Sequence, residues 1–158
     1  SNYPLIIVTQ NATHAILRQQ RFARGYVDEP YRDYSTRWTI PIFYTIGDGE
    51  LKITVFNKDV ETLEIPATAK IWIDPHQYGY YRTIYDDYSY FIDKDLQSTI
   101  EDNIPINKTI DDALAAYLFG YGNSTKLLRF FGETGLKRSR KVWNKHLKIM
   151  FTKPLRRM

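Results

Sequence analysis

Residues 38–56 read WTIPIFYTIGDGELKITVF and contain two β-type runs on either side of a glycine turn. The runs at residues 38–45 and 51–56 are rich in β-branched and aromatic residues, which favour strands. Gly47-Asp48-Gly49 lies between them and is typical of a tight connection, so the stretch predicts a β-hairpin. Pro41 has no N–H to donate to a neighbouring strand, and it therefore predicts an edge strand or a bulge.

The rest of the first ninety residues repeats this pattern at short intervals. Further strands are predicted over residues 3–9, 13–22, 60–65, 69–73 and 80–85. Several short strands separated by turns are typical of two antiparallel sheets that pack face to face. We therefore expect a mainly β protein, with an antiparallel β-sandwich over about residues 1–92.

The pattern changes after about Tyr90 and predicts short α-helices over about residues 93–151. The strongest helix covers residues 107–119, with Thr109 as its cap and Asp111 and Asp112 in its first turn. Gly120 and Gly122 are expected to end that helix. A second short helix is predicted from residue 124. The expected organisation is a sandwich domain (1–92), the start of a helical domain (93–133) and a basic tail (134–158).

The net charge is unevenly distributed along the chain. The 158 residues include no cysteine and carry a formal charge of +4. The absence of cysteine excludes a disulfide scaffold, a thiolate nucleophile and a cysteine zinc site. The formal charge is −5 over residues 1–133 and +9 over residues 134–158. Because the basicity belongs to the tail, we expect no nucleic-acid partner for the folded body.

Sequence motifs that carry chemistry are missing. His14, His76 and His146 have no partner at metal-ligand spacing, and there is no His-Glu-x-x-His segment. No serine nucleophile elbow, phosphate loop or dinucleotide fingerprint is present. The paired carboxylates Asp86-Asp87 and Asp111-Asp112 are adjacent in sequence, whereas acid–base catalysis needs two carboxylates in different environments. The sequence therefore predicts no catalytic, cofactor-binding or metal-binding residue.

Two segments suggest alternative binding functions. Residues 72–91 are rich in tyrosine, and an exposed aromatic surface could stack a glycan or a peptide. The competing interpretation is that these rings fill the sandwich core. The tail could form a basic amphipathic helix that attaches to a membrane or to nucleic acid, or a helix whose charged face is simply solvated.

The chain contains three Asn-x-Ser/Thr segments, which begin at Asn11, Asn107 and Asn123. Each is a candidate N-glycosylation acceptor if the chain enters the secretory pathway. Three such segments favour an ectodomain. Chance occurrence in a chain rich in Asn and Thr is the alternative.

Several motifs in order resemble the region that follows the catalytic domain in zinc aminopeptidases of the aminopeptidase N type. The resemblance begins with residues 2–6, Asn-Tyr-Pro-Leu-Ile, and with Gln-Gln-Arg-Phe at residues 19–22. It continues with Trp38-Thr-Ile-Pro41-Ile-Phe-Tyr-Thr45. Its most specific part is Gly79-Tyr80-Tyr81-Arg82-Thr83-Ile84-Tyr85-Asp86, in which Thr83-Ile84 replace the family's Val-Asn. An Ile-Asp-Asp-Ala segment at residues 110–113 follows.

The resemblance covers about residues 3–120 and implies a β-sandwich followed by the start of a C-terminal helical domain. In the family, the zinc ligands and the substrate-amine site precede the sandwich, so no cofactor is expected in this chain. We therefore expect a non-catalytic fragment of an enzyme that removes N-terminal residues from peptides. Its expected partners are the catalytic and helical domains of that enzyme, with the peptide contacted indirectly. An extracellular or membrane-associated ectodomain is expected, with any membrane contact made by other parts of the enzyme, and a cytoplasmic location is the alternative.

Overall fold

The computed structural model describes residues 3–22, 37–91 and 104–135, with side chains from 108 to 133 in the last segment. The chain divides into two compact units, and the boundary in sequence lies between Asp87 and Tyr88. The strands belong to the first unit and the helices to the second. The fold is mainly β with short helices after the strands, which confirms the predicted fold class.

The first sheet has four strands in the order β5-β2-β1-β7. Their bounds are β1 Tyr3–Gln10, β2 His14–Phe22, β5 Val60–Glu64 and β7 Arg82–Tyr85. β2 pairs antiparallel with both β1 and β5. β7 pairs parallel with β1, with Leu5 opposite Arg82 and Val8 opposite Tyr85. The expectation of a wholly antiparallel sandwich is therefore wrong at this one edge.

The second sheet has three strands in the order β4-β3-β6, with β3 at Ile40–Ile46, β4 at Lys52–Phe56 and β6 at Ile71–Ile73. β3 and β4 form the predicted hairpin, in antiparallel register from Ile40–Phe56 to Tyr44–Lys52. Gly47 has a φ of 57° at the first central position of the turn, where a residue with a Cβ would be strained. The turn is closed by the Gly49 N–H, which donates to the Ile46 carbonyl at 3.0 Å.

Pro41 lies in the middle strand of this sheet, yet its position is locally an edge. β4 pairs with residues 40–44 of β3, whereas β6 pairs only with residues 44–46. Within the described residues, the first half of β3 thus has a neighbouring strand on one side only. The predicted edge strand is therefore wrong for β3 as a whole, but the missing N–H of proline is tolerated at this position because no second strand pairs with it there.

The inner faces of the two sheets supply the sandwich core. Because paired residues share a face of a sheet, the registers separate inward-facing from outward-facing side chains. The inward apolar side chains are almost fully buried, and they include Ile6, Val8, Leu17, Ile40, Ile42, Phe56, Ile71 and Ile73. Burying each of these side chains contributes about 1.5–3 kcal/mol to folding.

Three polar side chains of the first sheet bind main-chain groups in and beside the second sheet. Gln10 of β1 accepts from the Ile71 N–H and donates to the Ala69 carbonyl. Tyr85 of β7 accepts from the Ile73 N–H through its hydroxyl at 2.9 Å. These bonds hold β6 against β1 and β7, and they satisfy N–H groups on the side of β6 that no described strand pairs.

Gln19 of β2 makes the third and largest connection. Its amide oxygen accepts from the Trp38 N–H at 2.8 Å, and its amide nitrogen donates to the carbonyls of Trp38 at 3.1 Å and Lys58 at 2.9 Å. The side chain is buried, so each lost bond would leave a poorly solvated main-chain group. Beside it, the Arg37 guanidinium contacts the Asp59 carboxylate and holds the pKa of that carboxyl below its usual value.

The second unit contains α1 (Ile104–Leu118) and α2 (Ser124–Gly135), and residues 89–91 are also helical. α1 begins three residues earlier than predicted, so Thr109 is not its cap but a buried residue inside the helix. Pro105 explains the earlier start, because proline is well suited to the first helical turn.

Asp111 and Asp112 are likewise not first-turn residues, because the helix starts at Ile104. Asp112 is buried in α1, and both of its carboxylate oxygens accept from the Lys108 ammonium at 2.7–2.8 Å. Lys108 lies four residues earlier, which is the spacing at which side chains meet on one helix face. Lys108 therefore neutralises the buried Asp112 carboxylate. The sequence had predicted that the positive N-terminal end of the helix would stabilise this charge.

Glycine ends α1 as predicted. Gly120 has a φ of 79°, and the Tyr121 N–H donates to the Ala116 carbonyl at 2.8 Å. This bond, together with Gly120 N–H to Tyr117 carbonyl at 3.4 Å, satisfies carbonyls that the helix end leaves open.

Apolar faces of the two helices form the core of the second unit. Ile110, Ala113 and Leu114 of α1 are buried, as are Leu127, Phe130 and Phe131 of α2. The Tyr88 ring stacks on Phe130 with 4.4 Å between ring centroids. This ring contact joins the short segment at residues 88–91 to α2.

The Gln19 connection predicts a large stability loss on truncation. We expect Gln19→Ala to lower the free energy of unfolding by about 2–3 kcal/mol, because three main-chain groups lose their partner. Urea denaturation followed by circular dichroism measures the change. Gln20→Ala removes the same side chain from the opposite face of β2, where it is also buried but makes none of these three bonds, and we expect a smaller loss of about 1 kcal/mol. Equal losses in the two variants would contradict the assigned role of Gln19.

Candidate functional site

Residues 79–86, the most specific part of the resemblance, include β7 and the residues just before it. In this segment the backbone of Gly79 lies very close to the Tyr81 ring. A Cβ added to Gly79 would lie 2.1 Å from Tyr81 Cε1, so no other residue fits without moving the ring. Tyr81 is buried, whereas the intervening Tyr80 is 95% exposed. The glycine therefore allows the chain to turn its second tyrosine inward.

Arg82 joins three strands of the first sheet. Its Nε donates to the Tyr3 hydroxyl at 2.7 Å, and its guanidinium lies 5.7 Å from the Tyr3 ring centroid and 5.6 Å from that of Phe22. The Tyr3 and Phe22 rings stack at 5.3 Å. This arrangement is a cation–π cluster that fixes the register of β1, β2 and β7.

The remaining residues of the resemblance also make structural contacts. The Asp86 N–H donates to the Val8 carbonyl at 3.0 Å, and its carboxylate accepts from the Gln10 N–H at 3.4 Å. Tyr85 binds the Ile73 N–H, and Trp38 is held through its main chain by Gln19. Pro41 is exposed at the start of β3. None of these groups forms a cleft with a nucleophile or an acid–base pair among the described residues.

Sequence reasoning missed the loop between β6 and β7, which Asp74 organises. Asp74 is buried with a φ of 53°, and its two carboxylate oxygens accept from the N–H groups of Tyr78 at 2.7 Å and Gly79 at 3.0 Å. Its own N–H donates to the Phe43 carbonyl at 2.7 Å. The signal was available, because aspartate before proline commonly starts a turn and tolerates positive φ.

The most unusual surface is the outer face of the three-stranded sheet, which we call the apolar outer face. On β4 and just before it, Leu51, Ile53 and Val55 point outward and are exposed, at 38%, 59% and 57% respectively. Lys52 and Thr54 lie on the inner side of the same strand. This alternation is the reverse of the usual apolar-inside pattern of a sandwich strand.

Aromatic side chains extend the apolar outer face across β3 and β6. Phe43 is paired with Ile53, and the half-buried Trp72 is paired with Thr45 on the same side. The Tyr78 ring packs edge-on against Phe43 at 5.3 Å between centroids and is itself 61% exposed. A contiguous exposed apolar patch of this kind is typical of a surface that another molecule or domain covers.

The tyrosine-rich segment is mostly core. Tyr81, Tyr85, Tyr88 and Phe91 are buried, and Tyr90 is half-buried. Tyr78 and Tyr80 are the strongly exposed rings of the segment. An aromatic binding surface there is thus reduced to these two side chains.

The histidines lie apart from one another in the described residues. His14 is at the start of β2 with its Nδ1 2.8 Å from the Thr13 hydroxyl, and His76 is exposed beside Tyr78. His146 and the basic residues of the tail lie outside the described residues. Across residues 3–22, 37–91 and 104–135, no three or more His, Asp or Glu side chains come together as a metal site.

The three candidate glycosylation segments have different surroundings. Asn11 is exposed in the β1–β2 turn, and Asn123 is exposed immediately before α2. The Asn123 side-chain oxygen accepts from the Lys126 N–H at 3.0 Å, so Asn123 caps α2. Asn107 lies inside α1. The capping role of Asn123 was also missed, although asparagine directly before an apolar run signals a helix start.

Comparisons with known proteins leave the family open. No protein-family model matches the chain, and no curated protein matches it. The likeness to aminopeptidases therefore rests on the motifs and their order. In the part of the chain that the structure describes, no helix combines the length and apolarity needed to cross a bilayer.

The contact between Gly79 and Tyr81 predicts opposite effects of two glycine substitutions. Gly79→Ala should destabilise β7 by about 1–3 kcal/mol, because the buried ring has to move. Gly132→Ala is the control, since a Cβ there meets nothing within 4 Å and alanine favours a helix by about 0.5–1 kcal/mol. Amide hydrogen exchange in β7 and α2 measures both. Slower exchange of β7 in Gly79→Ala would contradict the close approach.

Proposed function

We propose that this chain is a non-catalytic part of a zinc aminopeptidase of the aminopeptidase N type. In this proposal it supplies the β-sandwich that follows the catalytic domain and the first helices of the C-terminal helical domain. The contacts of Gly79, Arg82 and Tyr85 support it. These residues belong to the most specific part of the resemblance and hold strands together, which is the role expected of a supporting domain.

The apolar outer face is the observation that carries the proposal. An edge strand with exposed Ile53 and Val55 is costly for an isolated sandwich but suits a domain that packs against another domain. We assign the catalytic domain as the occupant, since the resemblance implies that it directly precedes the sandwich in the parent chain. Zinc belongs to that domain, where it would activate the water that attacks the peptide. An ectodomain location is part of the same proposal.

The decisive experiment begins with the transcript that encodes this chain. We expect a His-Glu-x-x-His segment upstream in the same reading frame. The whole encoded polypeptide is then produced with Ile53→Asp and Val55→Asp, and hydrolysis of an amino-acid para-nitroanilide is measured. Because an unpaired buried carboxylate costs several kcal/mol, we expect activity to fall at least about tenfold.

Thr62→Asp in the same polypeptide is the matched control. Thr62 is exposed on β5 of the other sheet, so a carboxylate there stays in water and activity should change less than about twofold. An upstream frame without the zinc-binding segment would refute the proposal. So would wild-type activity in the double variant, or anilide hydrolysis by this chain alone that a chelator abolishes.

A second candidate function is glycan or peptide binding through Tyr78 and Tyr80. The exposure of both rings, on a loop whose backbone Asp74 fixes, favours it. If the candidate is correct, the chain should bind at least one member of an oligosaccharide and peptide panel. Replacing both tyrosines by serine should then weaken binding about tenfold, since each ring contributes about 0.5–1.5 kcal/mol. Tyr117→Ser, an exposed tyrosine on α1, is the control, and equal binding by all three proteins would reject the candidate.

A further inference from the structure

Asn11 lies at the tip of a three-residue turn whose hydrogen bonds orient its side-chain amide. β1 ends at Gln10 and β2 begins at His14, and Asn11, Ala12 and Thr13 are all exposed. The Asn11 N–H donates to the His14 carbonyl at 3.0 Å. Its side-chain oxygen Oδ1 accepts from the main-chain N–H groups of Thr13 at 2.9 Å and His14 at 2.8 Å.

These two bonds direct Oδ1 into the turn, and the amide nitrogen Nδ2 consequently points away from it. The Thr13 hydroxyl lies 3.2 Å from the same Oδ1. The side chain of the threonine that defines the Asn-x-Thr segment is therefore in contact with the asparagine that would be modified. An exposed asparagine in a short surface turn, with the threonine of its own segment beside it, fits the surface-loop context of N-glycosylation.

The other two segments lack this combination. Asn107 lies within α1, and Thr109, the hydroxyl residue of its segment, is buried. Asn123 is exposed and its Oδ1 also accepts from a main-chain N–H, but the other two residues of its segment, Ser124 and Thr125, lie in α2 instead of a loop. Surface loops are the usual context of the modification. The three segments, which are equivalent as sequence, are thus distinguished by their structural context.

We propose that Asn11 is the preferred N-glycosylation site of this chain when it enters the secretory lumen. The donor is a polyprenyl-diphosphate-linked oligosaccharide. Nδ2 attacks the anomeric carbon, an N–C bond forms, and the anomeric C–O bond breaks with its electron pair leaving on the diphosphate. One proton passes from Nδ2 to a base. This inference does not rest on the aminopeptidase proposal, because it requires only the β1–β2 turn and entry of the chain into the secretory lumen.

The test is translation of the full chain, preceded by a cleavable signal peptide, in the presence of microsomes. Molecules that are protected from added protease are compared by gel mobility before and after treatment with peptide-N-glycosidase. We expect one enzyme-reversible step of reduced mobility. Asn11→Asp should abolish that step, and it retains side-chain oxygens for the turn, so the loss would not reflect misfolding. Thr13→Ala should also abolish it, whereas Thr13→Ser should retain it.

Asn107→Gln is the matched control and should leave the mobility step unchanged. Three results would overturn the proposal: a protected wild-type chain without the step, a step that persists in Asn11→Asp, or a step that is lost in Asn107→Gln. Mass spectrometry after enzymatic release, which converts a glycosylated asparagine to aspartate, assigns the site directly.

Discussion

Hydrogen bonds from polar side chains of the first sheet to main-chain groups in and beside the second hold the sandwich in its observed form. Apolar packing between sheets is non-directional and would tolerate small sliding movements. Gln10, Gln19 and Tyr85 remove that freedom, because each binds a specific main-chain N–H in or beside the second sheet. The three residues lie on β1, β2 and β7. Three strands of the first sheet are thus each bound to a specific point in or beside the second sheet. These few bonds are enough to fix the position of one sheet relative to the other.

Much of the sandwich could be predicted because its strands obey local rules. The runs rich in β-branched residues, the Gly47 turn and the glycine stop after α1 depend on residues close in sequence. The parallel pairing of β7 with β1 depends on residues far apart, and no local pattern distinguishes it from antiparallel pairing. The start of α1 was misplaced for a different reason. Thr109 is a good cap by residue type, but Pro105 favours an earlier first turn, and Thr109 is then buried inside the helix.

The candidate site was less predictable than the fold, since exposure depends on which strand face is inward. The alternation of Leu51, Ile53 and Val55 could be recognised in the sequence, but its orientation could not. The pairing of β4 with the buried Ile40 and Ile42 of β3 is what places Leu51, Ile53 and Val55 on the outer face. The motif block was found by resemblance, and its side chains hold strands together. The residue types in this motif are therefore explained by packing: Gly79 lies against Tyr81, and Arg82 lies over two aromatic rings. They are not explained by a catalytic reaction.

The position of β1 between β2 and β7 also has a consequence for synthesis on the ribosome. β1 can pair with β2 soon after it emerges, but its other edge waits for Arg82–Tyr85. At about 5–20 residues per second, the interval between the emergence of residues 5 and 82 is about 4–15 seconds. During that time the N-terminal hairpin presents an unpaired, apolar strand edge. The nascent chain is therefore most vulnerable to wrong pairing before β7 appears, and β7 then completes the first sheet.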